Sequence, residues 1–226
     1  MNLMLSVRKL TKSFGARRVI ENLSFTIAAG ERVTLFAPSG SGKSTLINIL
    51  CGVAQPDGGD FALRAGRPAT IFQEPRLFPF MTVRENIFFP WKIRREAVTG
   101  GLLERYQAWL RVCELDGHEQ QFPCQLSGGM KQKAAFMRGM MTRPDFVMMD
   151  EPFKSIDVAS KTRMIRHLLD EYPGVTLLLV THNLDEIPLL TTTLFVFSQA
   201  RLDEFTAHAN LRALSERDIA AKIFRE

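Results

Sequence analysis

One stretch of this chain narrows the choice of fold more than any other: Ala37-Pro38-Ser39-Gly40-Ser41-Gly42-Lys43-Ser44-Thr45. The apolar run Val33-Thr34-Leu35-Phe36 leads into it, and Leu46, Ile47, Ile49 and Leu50 follow at helical spacing as far as Gly52. That order reads as strand, glycine loop, helix. Glycines let successive backbone N–H groups converge on an anion, and the helix that follows presents its positive end to the same place. The spacing matches the phosphate-cradling pattern Gly-x-x-x-x-Gly-Lys-[Ser/Thr], except that Ala37 stands at the first glycine. If that position required a positive φ, alanine would carry about 1–3 kcal/mol of strain. It is expected to be tolerated, because the phosphate-touching residues lie further on.

This pattern is that of P-loop nucleoside triphosphatases, and the roles follow from chemistry. Lys43 is a point charge for the β- and γ-phosphates of ATP, and the Ser44 hydroxyl is a ligand for Mg²⁺. Thr45 and the backbone of Ser39, Gly40, Ser41, Gly42 and Lys43 complete the cradle. A second feature supports the first. Phe146-Val147-Met148-Met149-Asp150-Glu151 is an apolar strand ending in two adjacent acids, and buried strands rarely finish that way without a cation to satisfy. Asp150 is assigned to the metal, and Glu151 to orienting and deprotonating a water. Two solvated acids at a strand end would be the simpler reading of the pair in isolation, but not beside the phosphate loop.

The rest of the chain alternates in the same manner. Leu3, Leu5 and Val7, then Leu23, Phe25 and Ile27, suggest antiparallel strands joined near Ser13-Phe14-Gly15. Pro56-Asp57-Gly58-Gly59 is a turn leading into a strand pair that ends near Gln73. Residues 78–142 read as helical, with Leu103, Tyr106, Leu110 and Cys113 on one face. A helix from Lys161 to Leu169 and a strand from Val175 to Val180 follow. Unbroken apolar strands alternating with helices predict an α/β fold: a mainly parallel core sheet, an N-terminal antiparallel β sub-domain and an inserted α-helical sub-domain. One domain, 1–226, carries the helical insertion at about 78–142.

Further motifs carry a resemblance to a known family. Leu126-Ser127-Gly128-Gly129-Met130 resembles the Leu-Ser-Gly-Gly-Gln signature of ATP-binding cassette (ABC) transporters, which other P-loop enzymes lack. Gln73 in Phe72-Gln73-Glu74-Pro75 resembles that family's Q-loop, Ser155-Ile156-Asp157 its D-loop, and Val180-Thr181-His182 its switch histidine. Phe14 stands where the family carries an aromatic that stacks on adenine. These elements keep the family's order from Phe14 to His182. The resemblance implies two subunits stacked head to tail, with each ATP between one subunit's phosphate loop and the other's Ser127, Gly128 and Gly129. It makes Glu151, His182 and Gln73 catalytic, adds Gln73 to the metal ligands Ser44 and Asp150, and adds Asp157 to the nucleotide site. The 73–87 segment is similar to bacterial importers of the nitrate, sulfonate and taurine group.

By that resemblance the chain powers a bacterial importer from the cytoplasmic face of the cell membrane, as a peripheral subunit. Its partners would be a second nucleotide-binding subunit, as a homodimer, transmembrane permease subunits and an extracytoplasmic solute-binding protein. Phe78, Phe80 and Phe88 are either exposed anchors for the permease or sub-domain core. The stripe Met130, Ala134, Met137 and Met141 reads as core packing, and His118, His167 and His208 as surface residues. Met130 for glutamine, Lys131-Gln132-Lys133, Lys154 before the D-loop and the missing Ala-Asp-Arg near 190–194 depart from the family pattern. Ala37 and Lys154 motivate an alternative, a nucleotide-gated module with little or no hydrolysis. The chain ends soon after its last expected strand, so no regulatory tail is expected.

Composition excludes other classes. At 46% hydrophobic and 23% charged residues the chain is neither disordered nor fibrous. Cys51, Cys113 and Cys124 form no disulfide framework or four-cysteine zinc site, and suit a reducing compartment. The net charge of +5 is scattered without a basic block, so no nucleic-acid partner is expected. DNA-linked relatives of the family carry a very long insertion, whereas Gln73 and Ser127 are 54 residues apart. The uncharged stretch 187–200 has 14 residues and contains Pro188, short of the roughly 20 needed to cross a bilayer. Arg8, Lys9 and Lys12 follow only a short apolar run, the wrong order for a signal peptide.

Overall fold

The computed structural model describes residues 2–198, 201–211 and 214–224. Strands β1 (Leu3–Phe14) and β2 (Arg17–Ala28) are followed by β3 (Arg32–Phe36), α1 (Lys43–Leu50), β4 (Gly58–Leu63) and β5 (Pro68–Ile71). Helices α2 (Val83–Arg94) and α3 (Gly100–Cys113), a 3-10 turn at Pro123–Gln125 and helix α4 (Gly128–Met141) come next. The chain then forms β6 (Phe146–Asp150), α5 (Val158–Glu171), β7 (Thr176–Val180), α6 (Glu186–Leu190), β8 (Thr193–Val196), β9 (Thr206–Ala209) and α7 (Glu216–Ile223). Contacts divide it into two units: Met1–Pro68 with Asp145–Glu151 and Gly174–Glu226, and Ala69–Pro144 with Pro152–Pro173.

In the first unit, β6, β7, β3, β8 and β9 lie side by side in that order. The pairs β6/β7, β7/β3 and β3/β8 are parallel, and β9 runs antiparallel to β8 at the edge. Every residue of β6 and β7 is buried, which is why both read as unbroken apolar runs rather than alternating ones. Strands β2, β1 and β4 form a separate antiparallel sheet, with Val7 opposite both Phe25 and Phe61. The expected strand pair before Gln73 is therefore not a pair, since β4 joins β1 across a long sequence separation. The uninformative stretch after Arg201 supplies β9 and α7, and a small core of Ile187, Leu194, Leu211 and Ile219 seats them. Residues 199–200, 212–213 and 225–226, within the uncharged stretch and the final segment, lie outside the described residues.

The second unit is mostly helical. Its core includes Tyr106, Trp109, Leu110, Phe136, Met137, Met140 and Met141, all fully buried. Tyr106, Leu110 and Cys113 of the expected α3 face are buried, but Leu103 is exposed, and Leu102 and Trp109 complete the face instead. The stripe on α4 is core, with Ala134, Met137 and Met141 buried and Met130 half-buried. Helix α5 starts three residues before Lys161, because the Asp157 carboxylate caps it by accepting the Ser160 N–H at 2.9 Å. Among the described residues no helix is long and apolar enough to cross a membrane.

Candidate active site

The phosphate loop sits where β3 ends and α1 begins, at the carboxyl edge of the parallel strands. Ser39, Gly40 and Ser44 are exposed, Gly42 and Thr45 are half-buried, and Ser41 and Lys43 are buried. Gly40 and Gly42 take φ of 73° and 103°, a region that disfavours side chains. Ala37 is absent from the positive-φ residues, so the alanine carries no left-handed strain. The Lys43 ammonium folds back onto its own loop, donating to Ala37 O at 2.7 Å and Pro38 O at 3.0 Å. Burial holds its pKa below the usual lysine value, while Glu151 and Asp150 partly offset that effect. The buried Ser41 hydroxyl has no partner among the described residues.

Asp150 closes β6 and is buried, and Glu151 follows with φ of 48°. A non-glycine residue in this region marks strain of the kind that accumulates at functional sites. The Glu151 N–H extends the ladder by donating to Val180 O at 2.9 Å, which fixes the turn. Its carboxylate is pushed up to about 7, first by burial, then by Glu186 and Asp150, against the opposing pull of Lys43. Oε1 of Glu151 is buried without a hydrogen-bond partner and lies 3.6 Å from His182 Nε2. Burial and the nearby Lys43 hold His182 below the ordinary histidine pKa. Its ring stands edge-on to Phe36, with centroids 6.2 Å apart.

The first unit thus brings together the phosphate loop, Asp150, Glu151 and His182. Phe14 is 58% exposed at the tip of the β1–β2 hairpin, and Lys12 Nζ lies over one side of its ring, 5.6 Å from the centre. The acids crowd negative charge around one lysine and leave an oxygen unsatisfied, a donor set that fits a hard divalent cation. Among the described residues no group of three or more His, Cys, Asp or Glu side chains forms a metal cage. A cation here would draw on hydroxyl, carboxylate and substrate oxygens.

The second unit holds the other predicted residues. Ser127 caps α4, its hydroxyl accepting the Met130 N–H at 3.2 Å. A Cβ on Gly129 would sit 2.6 Å from Ser155 O, so the signature and D-loop segments touch through backbone and only glycine fits. Asp157 is exposed, and its carboxylate is held below the usual range by the Ser160 N–H it caps. Gln73 is exposed too. The preceding residue is anchored, because Gln132 Nε2 donates to Phe72 O at 3.2 Å and to Pro152 O at 3.0 Å. Phe88 packs on Tyr106 at 4.8 Å and on Trp91 at 6.1 Å, whereas Phe80 is 91% and Phe78 41% exposed. The two readings of that aromatic cluster therefore divide between its members.

Three features escaped the sequence. Glu186, almost wholly buried, accepts from Thr181 Oγ1 at 2.6 Å and Asn183 Nδ2 at 2.8 Å, clipping the loop that carries His182. An acid in the first turn after a strand end was its only signal. Asn86, also fully buried, bonds Phe78, Met81 and Thr82 and shapes the loop that exposes Phe80. The expected surface histidines are all half-buried, and His167 packs edge-on to Trp109 at 4.5 Å.

Comparison with known proteins agrees with this geometry. The sequence profile described as ABC transporter matches residues 20–154. The aliphatic sulfonates import ATP-binding protein SsuB 1 of Nocardia farcinica is 37% identical over 206 residues, covering 89% of this chain and 81% of that protein. The spermidine/putrescine import ATP-binding protein PotA of Nitrosomonas eutropha is 35% identical over 213 residues, and the match spans 58% of its length. Among solved structures, the ATP-binding cassette MJ0796, described as a dimer in a post-hydrolysis state bound to ADP and Pi, is similar with a TM-score of 0.80. It is 25% identical, and the match covers 93% of this chain and all of that one. With the phosphate loop, the strand-end acids and the signature segment all in place, the chain belongs to the ABC transporter family and carries its ATPase cassette.

Proposed function

We propose that this chain is the ATP-binding and ATP-hydrolysing subunit of a bacterial importer, acting as a head-to-tail dimer on a membrane permease. The observation that carries the reading is Glu151. It is a half-buried carboxylate raised to about 7, with one buried oxygen unsatisfied, one residue beyond Asp150 and near His182. A base whose pKa lies near the working pH combines the right protonation state with useful proton affinity.

ATP binding draws Lys43 off Ala37 O and Pro38 O onto the β- and γ-phosphates. Backbone N–H groups of the loop and the open start of α1 take up the remaining charge. Ser44, Asp150 and Gln73 would hold magnesium, which neutralises charge developing on the phosphate oxygens. Glu151 accepts the proton of the attacking water, His182 steadies the γ-phosphate, and Phe14 stacks on the adenine. From the second copy, Ser127 and the open N–H groups of Gly128 and Gly129 at the start of α4 face the same triphosphate, and Asp157 borders it. Hydrolysis then releases the dimer. In this reading the whole chain 1–226 works as one ATPase domain, its helical portion carrying Gln73 and the exposed Phe78 and Phe80 toward a permease. The permease and an extracytoplasmic solute-binding protein would place the chain at the cytoplasmic face of the membrane.

The backbone at Ala37 removes one of the two motives for a merely nucleotide-gated role, since the alanine costs the loop no strained dihedral. Glu151→Gln keeps the shape and removes the base, so phosphate release should fall by at least about 100-fold while ATP is retained. Phosphate release undiminished in that variant would overturn the assignment of the base.

A further inference from the structure

The β1–β2 hairpin is fastened to the phosphate loop at two points, both involving β2. A Cβ on Gly42 would lie 2.7 Å from Val19 O and 3.2 Å from Val19 Cβ, so backbone meets backbone there. The second fastening is a side chain: Arg17 Nη2 donates to Gly40 O at 2.8 Å. Arg17 also stands directly opposite Phe14 in the β1–β2 register, closing the hairpin beside the exposed aromatic. One residue therefore touches the phosphate loop and closes the tip that carries the base platform.

From this arrangement we infer that Arg17 is a positioning residue of the nucleotide site, an inference that rests on the ATP-binding reading above. The peptide plane is rigid, so holding Gly40 C=O toward the guanidinium turns the Ser41 N–H the opposite way. In that orientation the N–H is directed at Pro38 O, 3.3 Å away, the oxygen that also accepts from Lys43. Both donors are thus gathered at one acceptor that an arriving phosphate would replace. Among the described residues Arg17 is the donor from outside the loop that holds the Gly40 carbonyl, and without it glycine's wide freedom lets the peptide rotate. Arg17 prepays that ordering and keeps the Phe14 platform at a set distance from the phosphate seat. It touches neither water nor γ-phosphate in the reaction.

Arg17→Met retains the apolar stem and deletes the donor. Its ATP Kd and KM should rise about tenfold, the typical effect of losing a hydrogen bond from a charged group, with kcat at saturating ATP within about twofold. Arg17→Lys restores a single donor to the carbonyl and should recover most of the loss. Phe14→Ala should weaken ATP binding less in the Arg17→Met background than in wild type, because the platform is no longer tied to the loop. Unchanged ATP affinity in Arg17→Met, or strictly additive effects with Phe14→Ala, would overturn the inference. If Arg17→Met does not fold, the same titrations on Arg17→Leu, which also lacks the donor, take its place, and full affinity in that variant counts against the inference. Wild-type protein that takes up no ATP would instead sink the functional reading on which the inference rests.

Discussion

Two buried lysines, Lys43 in the first unit and Lys133 in the second, each lie near carboxylates, and their surroundings differ in every other respect. Lys133 is saturated. It pairs with Glu114 at 2.6 Å and donates to Ser160 at 3.0 Å, while Arg163 reaches the same Glu114 at 2.6 Å. The hydrogen bonds that Glu114 accepts from Lys133 and from the Ser160 hydroxyl hold its carboxyl down to about 2. Among the described residues Lys43 donates hydrogen bonds only to its own loop's carbonyls, and its acidic neighbour Glu151 is driven up to about 7 with an oxygen left over. One cluster uses charge to tie α4, α5 and the end of α3 together. The other keeps charge unspent, which costs stability and leaves donors and acceptors for a triphosphate. Buried polar groups left short of partners are where function is to be sought.

That contrast can be tested from the largest effect down. Lys43→Ala should abolish measurable ATP uptake in calorimetry while leaving thermal stability near or above wild type, because the lysine's burial is unfavourable without its ligand. A large loss of stability would place Lys43 in the same class as Lys133. Lys133→Met should do the reverse, lowering unfolding free energy by about 2 kcal/mol through lost charged hydrogen bonds while ATP affinity stays within about threefold. Denaturant titration beside nucleotide binding separates the two.

The smallest effects concern pH, and their signs are opposite. Glu151's folded pKa lies above its ordinary value of 4.5, so the stability associated with its neutral form is present below that value and lost as pH rises through about 7. Glu114's contribution is present above 4.5 and lost as pH falls toward about 2. Glu151→Gln should therefore melt above wild type at about pH 8 and match it near pH 4, whereas Glu114→Gln melts below wild type at about pH 8. Melting scans that shift both variants in the same direction would remove the distinction.

Local chemistry was legible in the sequence wherever a few adjacent residues carry it. The loop from Ala37 to Thr45 declares its strand and helix by periodicity, and the acids after Met149 announce a strand end with a task. Asp157 marks the start of a helix, although the helix begins earlier than apolar spacing alone suggested. On α3 the spacing placed Tyr106, Leu110 and Cys113 correctly in the core but misplaced Leu103, because the face widens toward Leu102 and Trp109, which packs against Phe136 at 5.8 Å. The strand at Gly58–Leu63 was visible but its partner was not, since antiparallel pairing to β1 brings together residues about fifty positions apart.

What the amino-acid order determined alone is the inventory: a phosphate loop, two acids at a strand end, a capped signature helix and an aromatic hairpin tip. These arise from backbone propensity and hydrogen bonds within a few residues. Tertiary structure decided which of the charges are spent and which are kept. Glu186 bears on Glu151, Glu114 is quenched by Lys133, and Arg17 is laid on Gly40 only because distant segments are packed together. A carboxylate's strength depends on burial and on the charges around it, and neither exists until the chain has folded.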